Sequence, residues 1–222
     1  MANTLGNIGI VYADQGDFPR ALECYQRSLK IREKIGDRAG VANCLNNIGN
    51  IFTDQGNYAR ALENYQRCLK FQEEIGDRMG IATSFINIGN IYYIQGEYAR
   101  AVEANHRSLK IIEKLGNPTV LASGLSNLGI LYAKQGNYAR ALSYNLRSLK
   151  IYEEIGDRAG MANSLNNIGG MYINCGKLDS AQIFAQKRPE VGARSGSFGD
   201  QAIRCRNSLP GRLGPRQLEG CF

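Results

Sequence analysis

Asn46-Asn47-Ile48-Gly49-Asn50-Ile51-Phe52 decides how this chain is read, because near-copies of it return every 40 residues. The same slots hold Gly6-Asn7-Ile8-Gly9-Ile10-Val11-Tyr12, Ile86-Asn87-Ile88-Gly89-Asn90-Ile91-Tyr92, Ser126-Asn127-Leu128-Gly129-Ile130-Leu131-Tyr132 and Asn166-Asn167-Ile168-Gly169-Gly170-Met171-Tyr172. Each copy keeps an Asn, an Ile or Leu, a Gly, and an aromatic three residues after the Gly. A fixed period of this length marks an array of stacked supersecondary units in which each unit buries its apolar face only against its neighbours.

Working outward from this stretch, residues 37–76 define one unit. Asp37 is placed to cap a helix, and Val41, Ala42, Leu45, Ile48 and Phe52 then recur at three- and four-residue intervals, which predicts an amphipathic helix. Gln55-Gly56 ends it, since Gly takes the left-handed conformation that closes a helix, and Asn57 caps a second helix. That helix carries Tyr58, Ala61, Leu62, Tyr65, Leu69 and Ile75 on one side, with Arg60, Glu63, Arg67, Lys70 and Glu73 largely on the other. Gly76-Asp77 ends it and opens the next unit. Helices joined by so short a turn lie antiparallel and in contact, so the unit is a helical hairpin.

A glycine inside a helix costs about 1 kcal/mol relative to Ala. Its return at Gly9, Gly49, Gly89, Gly129 and Gly169 therefore predicts close approach of a partner helix, for which the repeating Ala21, Ala61, Ala101, Ala141 and Ala181 are the natural partners. The aromatics at 12, 52, 92, 132 and 172 fill the space beside them. Asn117-Pro118 replaces Asp-Arg at the start of the fourth unit, and Pro is favoured at the first helical position behind an Asn cap, so that unit folds like the others. Asn105 and Asn145 stand where Tyr25 and Tyr65 stand in earlier units, a change for which the sequence offers no account.

Leu45, Ile48, Gly49, Phe52, Ala61, Tyr65 and Cys68, with their equivalents in the other units, resemble the tetratricopeptide repeat. The period is 40 and not the usual 34, and the Pro that closes the second helix in that family is replaced by a Gly-Asp turn. This longer version is similar to the repeats of Pins-type polarity adaptors, kinesin light chains and many bacterial signalling proteins. The resemblance implies an all-α fold, a right-handed α-solenoid of five antiparallel helical hairpins, acting as a protein-interaction scaffold. A fold shared by many adaptors names no ligand.

The expected organisation is one array over 1–187, with units 1–36, 37–76, 77–116, 117–156 and 157–187, followed by a tail over 188–222. Arg188-Pro189 breaks the last pattern, and six Arg with no Lys occur from there on. A disordered tail, a decayed sixth repeat and a frameshifted end all fit that change. The first unit lacks the Asp cap, as in a chain beginning inside a longer array, and uncapped ends expose apolar surface through which the array can self-associate.

Hydrophobic residues make up 43% of the 222 and charged residues 21%, ordinary for a folded chain. No leader or membrane span is recognisable, which makes the cytosol the expected compartment. Cys24, Cys44, Cys68, Cys175, Cys205 and Cys221 lack metal-like spacing and read as reduced thiols. Net charge is +7, but basic and acidic residues alternate along the repeats, the pattern of a solvated face; nucleic acid is not the expected partner.

Catalysis is not expected either, and no cofactor is implied. His106, the single histidine, reads as an exposed helix residue; Glu73, Glu74, Glu153 and Glu154 read as solvated ion pairs; the Gly-Asp-Arg-Ala-Gly turns read as caps. Binding is different, because the first helices carry a polar, nearly uncharged face that core packing does not use. It comprises Asn3 and Asn7; Asn43, Asn46, Asn47 and Asn50; Thr83, Asn87, Asn90 and Tyr93; Ser123, Ser126 and Asn127; and Asn163, Asn166 and Asn167. An Asn amide donates and accepts, so such a ladder can pair with the backbone of an extended peptide; it can equally hold adjacent units in register. By the resemblance, Asn47, Asn87, Asn127 and Asn167 match peptide-binding asparagines. Ile86, Tyr93 and Ile130 add an apolar centre, and Arg38, Arg78 and Arg158 are candidate contacts for acidic ligand side chains. The expected partner is an extended or partly helical protein segment bound at about 1 μM, about −8 kcal/mol; the alternative is a regulatory or sensor segment of a larger signalling enzyme or transcription regulator.

Overall fold

A computed structural model describes residues 1–186, and the tail expected over 188–222 lies outside them. The described residues form ten helices: α1 (Ala2–Asp14), α2 (Phe18–Ile35), α3 (Arg38–Asp54), α4 (Tyr58–Ile75), α5 (Arg78–Ile94), α6 (Tyr98–Leu115), α7 (Pro118–Lys134), α8 (Tyr138–Ile155), α9 (Arg158–Asn174) and α10 (Leu178–Gln186). They belong to two compact units, Met1–Ile111 and the residues from Ile112 onward.

The local signals act as their chemistry dictates. Asp37 Oδ1 accepts from the Gly40 backbone N–H at 2.9 Å, and Asn57 Oδ1 from that of Arg60 at 3.3 Å. Asn117 accepts from Val120 at 3.2 Å with Pro118 in the first turn, so the fourth hairpin starts as regularly as the rest. Gly56 adopts φ 71°, which lets its own N–H reach Thr53 O and the next N–H reach Phe52 O. These two bonds satisfy carbonyls that a helix end would otherwise orphan.

In the first unit α2 lies between α1 and α3, and α4 between α3 and α5. Ala21 and Tyr25 of α2 pack with Ile48 and Ile51 of α3, and Val41, Ala42 and Leu45 of α3 with Cys68 of α4. In the second unit α8 packs on α7 and α9, and Leu149, Leu165 and Ile168 form the cluster between α8 and α9. Ile8 and Val11 are exposed on α1 in the slots where Ile48 and Ile51 are buried.

The recurrent glycine is crowded by a different neighbour from the one expected. A methyl carbon on Gly49 would lie 2.6 Å from Cε1 of Tyr65, and one on Gly9 2.7 Å from Cε1 of Tyr25. At Gly89 and Gly129 the obstructing groups are the amides of Asn105 and Asn145. The Ala slot is fully buried, yet what the glycine accommodates is the side chain four residues beyond it.

A second recurrent feature is a chain of small polar groups between helices. Ser28 Oγ donates to Ala2 O at 3.0 Å, Cys68 Sγ to Ala42 O at 3.2 Å, and Ser148 Oγ to Ala122 O at 2.8 Å. The next first helix then joins: Cys44 Sγ donates to Ser28 Oγ at 3.4 Å, and Ser164 Oγ lies 3.2 Å from Ser148 Oγ. Ser108 Oγ, in the same slot and buried, has no such partner. Cys24, Cys44 and Cys68 are free and buried, as reduced thiols at these positions require.

Candidate functional site

The helical period places the polar residues of each first helix opposite its core stripe. On α3, Asn43 and Asn50 are exposed while Asn46 and Asn47 are half-buried; on α5, Thr83 and Asn90 are exposed, and Ile86, Asn87 and Tyr93 half-buried. In the second unit α7 presents exposed Ser123 with half-buried Ser126, Asn127 and Ile130, and α9 presents exposed Asn163 with half-buried Asn166 and Asn167. Each unit therefore carries its own amide-rich face.

Hydrogen bonds divide these residues into two sets. Asn87 Nδ2 donates to Asn46 Oδ1 at 2.9 Å, joining α5 to α3, and Asn167 Nδ2 donates to Ser126 Oγ at 3.2 Å, joining α9 to α7. Both bonds span 41 residues, so they are one contact repeated. Asn50 Oδ1 accepts from Tyr65 Oη at 2.8 Å, with Thr53 Oγ1 3.1 Å from the same phenol. Burial pushes the Tyr65 phenol up, opposed by the Thr53 bond. Asn3 Oδ1 accepts from Arg32 Nη2 at 2.6 Å, and Ser123 Oγ lies 2.8 Å from Tyr152 Oη.

By contrast, the side-chain amides of Asn43, Asn47, Asn90, Asn127, Asn163 and Asn166 find no partner among the described residues. For Asn47 the difference follows from sequence within its own unit: the residue 41 positions before it is Gly6, which offers no side-chain acceptor. Arg38 is ion-paired with Glu74 of α4, while Arg78 and Arg158 are exposed at their helix starts.

Asn145 is a polar centre that the periodic reading did not find. Fully buried on α8, it donates to Ala141 O at 3.0 Å, and its Oδ1 accepts from Asn167 Nδ2 at 3.1 Å and Ser126 Oγ at 3.4 Å. The amide that replaces a tyrosine thus ties α8 to the polar residues of α7 and α9. His106 is half-buried on α6. Among the described residues no group of side chains could hold a metal ion, and no helix is long and apolar enough to cross a membrane.

The tetratricopeptide repeat model matches residues 1–74, 51–114, 80–154 and 120–188. No curated protein sequence matches the chain. Solved structures similar to it include BtubC (BKLC) from P. vanneervenii, 20% identical with a TM-score of 0.77, over 96% of this chain and 84% of that one. The Pyrococcus horikoshii signal-transduction ATPase with a tetratricopeptide repeat sensor is 17% identical, TM-score 0.76, over 93% of this chain and 30% of its own. A kinesin light chain-like repeat protein from Podosopora anserina is 14% identical, TM-score 0.71, over 93% and 97%. At these identities the likeness is one of fold.

Proposed function

The chain belongs to the tetratricopeptide repeat family, an array of which implies a protein-interaction scaffold, and we propose that its first helices hold an extended or partly helical segment of a partner protein. The observation that supports this reading is the set of six amides, at Asn43, Asn47, Asn90, Asn127, Asn163 and Asn166, left without partners beside others that are satisfied. Asn47, Asn127 and Asn166 are half-buried and Asn43, Asn90 and Asn163 exposed, and amides without protein partners bond water that a peptide backbone can replace, donor for donor and acceptor for acceptor. Ile86, Tyr93 and Ile130 offer apolar contact beside them. Arg78 and Arg158 are placed for acidic side chains, and a ligand carboxylate at Arg38 would compete with Glu74. In this reading the chain binds and performs no chemistry of its own.

The test begins with peptides selected by the 222-residue chain from a random library. Asn47→Ala with Asn127→Ala should weaken the selected peptides at least tenfold and leave thermal stability unchanged. Asn87→Ala should lower stability by about 1 kcal/mol, because its bond to Asn46 is lost. Peptides that bind the double variant as well as the parent chain would refute the reading. A second reading, a sensor segment of a larger signalling protein, draws on the Pyrococcus horikoshii protein, of which the chain spans only 30%; a reading frame continuing into an ATPase or DNA-binding domain would favour it.

A further inference from the structure

The second helices carry one slot that changes from repeat to repeat: Cys24, Asn64, Ala104, Tyr144 and Phe184. Where it is aromatic, the ring stacks on the first-helix aromatic of the same repeat. Tyr144 lies on Tyr132 with centroids 5.4 Å apart and planes 9° apart, and Phe184 on Tyr172 at 5.3 Å and 17°. In the fifth repeat the stacked pair closes over Leu149, Leu165 and Ile168.

The third repeat has the same lining without the ring. Leu69, Phe85, Ile88 and Tyr92 stand for Leu149, Leu165, Ile168 and Tyr172, but Ala104 stands for Phe184. A cavity of about 270 Å³ remains there, walled by these side chains. An apolar cavity of about 150 Å³ is enough to bind benzene. Its rim is exposed and includes Arg100, 3.9 Å from the Tyr92 ring centre, and Arg107. Arg107 is the counterpart of Arg147, which lies 5.9 Å from the Tyr144 ring centre in the fourth repeat; held at the rim by Glu103 at 2.8 Å and 5.7 Å from the Phe85 ring centre, its guanidinium borders the space an incoming ring would fill. The cavity is on the face of α5 opposite Asn87 and Asn90 and is a separate site from the amide face.

We propose that this cavity receives a phenylalanine or tyrosine side chain of a partner protein, which takes in trans the place that Phe184 and Tyr144 take in cis. The occupant is specified by the molecule itself, because two repeats show which group closes this lining. Shape and stacking select a planar ring, and the rim arginine adds a cation over its face.

The experiment titrates the full chain with p-cresol, N-acetyl-tyrosine amide and N-acetyl-leucine amide, followed by NMR shifts of Phe85, Ile88, Tyr92 and Ala104. Both aromatic probes should bind saturably in the millimolar range and the leucine amide at least tenfold more weakly. Ala104→Phe and Ala104→Tyr copy the fifth and fourth repeats, and either should abolish binding. Absence of saturable shifts in the parent chain, equal binding of the leucine amide, or aromatic binding that survives in a folded Ala104 variant would overturn the proposal. Binding of p-cresol without N-acetyl-tyrosine amide would also overturn it, as the mark of a small-molecule site.

Discussion

Gly49→Ala and Gly169→Ala make the same chemical change in the same slot, yet the structure assigns them opposite signs. Alanine gains about 1 kcal/mol over glycine in a helix interior wherever its methyl group has room. On Gly169 the nearest atom to that methyl among the described residues is Ala181 O at 3.9 Å, an ordinary contact, so this variant should be stabilised by about 1 kcal/mol. On Gly49 it would lie 2.6 Å from Cε1 and 2.8 Å from Cδ1 of Tyr65. The ring is held at both ends: it is buried, and its hydroxyl bonds Asn50 and lies beside Thr53. Moving it costs about 1–3 kcal/mol of overpacking strain, and about 1 kcal/mol more if the phenol bond breaks. Set against the propensity gain, Gly49→Ala should lose about 2 kcal/mol. The two variants are therefore separated by about 3 kcal/mol, which at the slope of a protein this size moves their urea midpoints apart by about 1 M. Urea unfolding followed by circular dichroism measures it, with each variant compared to the parent because repeat arrays need not unfold in one step. Equal midpoints, or a destabilised Gly169→Ala, would refute the claim that the Tyr65 ring and not the partner helix backbone is what excludes a methyl group at Gly49.

The buried hydroxyls provide a second matched pair. Ser148→Ala removes bonds to Ala122 O and Ser164 and should cost about 1 kcal/mol, whereas Ser108→Ala removes a buried hydroxyl without a partner and should be neutral or stabilising by thermal melts. Alkaline pH should weaken the fold: burial pushes the Tyr25, Tyr65 and Tyr144 phenols and the Cys68 thiol up. Groups whose folded pKa is raised contribute fully below their unfolded pKa and lose that contribution as the pH rises toward the folded one, so melting temperature should fall through the ordinary thiol and phenol ranges, about 8.5 and about 10. Tyr144→Phe should flatten the slope, and a melting temperature level across that range would contradict the assignment.

The hairpins, their caps and the core stripe were all readable from period and turn chemistry, because those signals act within a few residues. Contacts set by the reach of one side chain were not. Periodicity shows that Gly49 faces a second helix and points to Ala61, which returns in every unit, whereas only geometry shows that the Tyr65 ring is the group in contact. The glycine at the third residue of the first helices belongs, by sequence, to a cap. It has a packing role as well: a methyl on Gly40 would collide with the Arg32 guanidinium and the Asp37 carboxylate, and one on Gly160 with the Tyr152 ring. The signal was present in the repeats taken as an internal alignment. Arg32, Gln72 and Tyr152 occur with Gly40, Gly80 and Gly160, while the fourth unit has Val120 with the shorter Ile112. Asn145 escaped for the same reason, since an amide in a tyrosine slot has meaning only through Ser126 and Asn167, which fold onto it.

Four asparagines, Asn47, Asn87, Asn127 and Asn167, share one slot, and position alone gives them one role. The neighbour 41 residues earlier separates those that share a unit with it: Asn46 and Ser126 accept a bond from Asn87 and Asn167, whereas Gly6 offers Asn47 nothing. Register and ligand binding are therefore not competing explanations of one motif. Asn87 is held by Asn46, and Asn167 by both Ser126 and Asn145, while Asn47 is left for the ligand proposed above. Asn46→Gly should release the Asn87 amide for a ligand backbone at a cost of about 1 kcal/mol in stability, and tighter binding of groove-selected peptides by that variant is the result this logic requires.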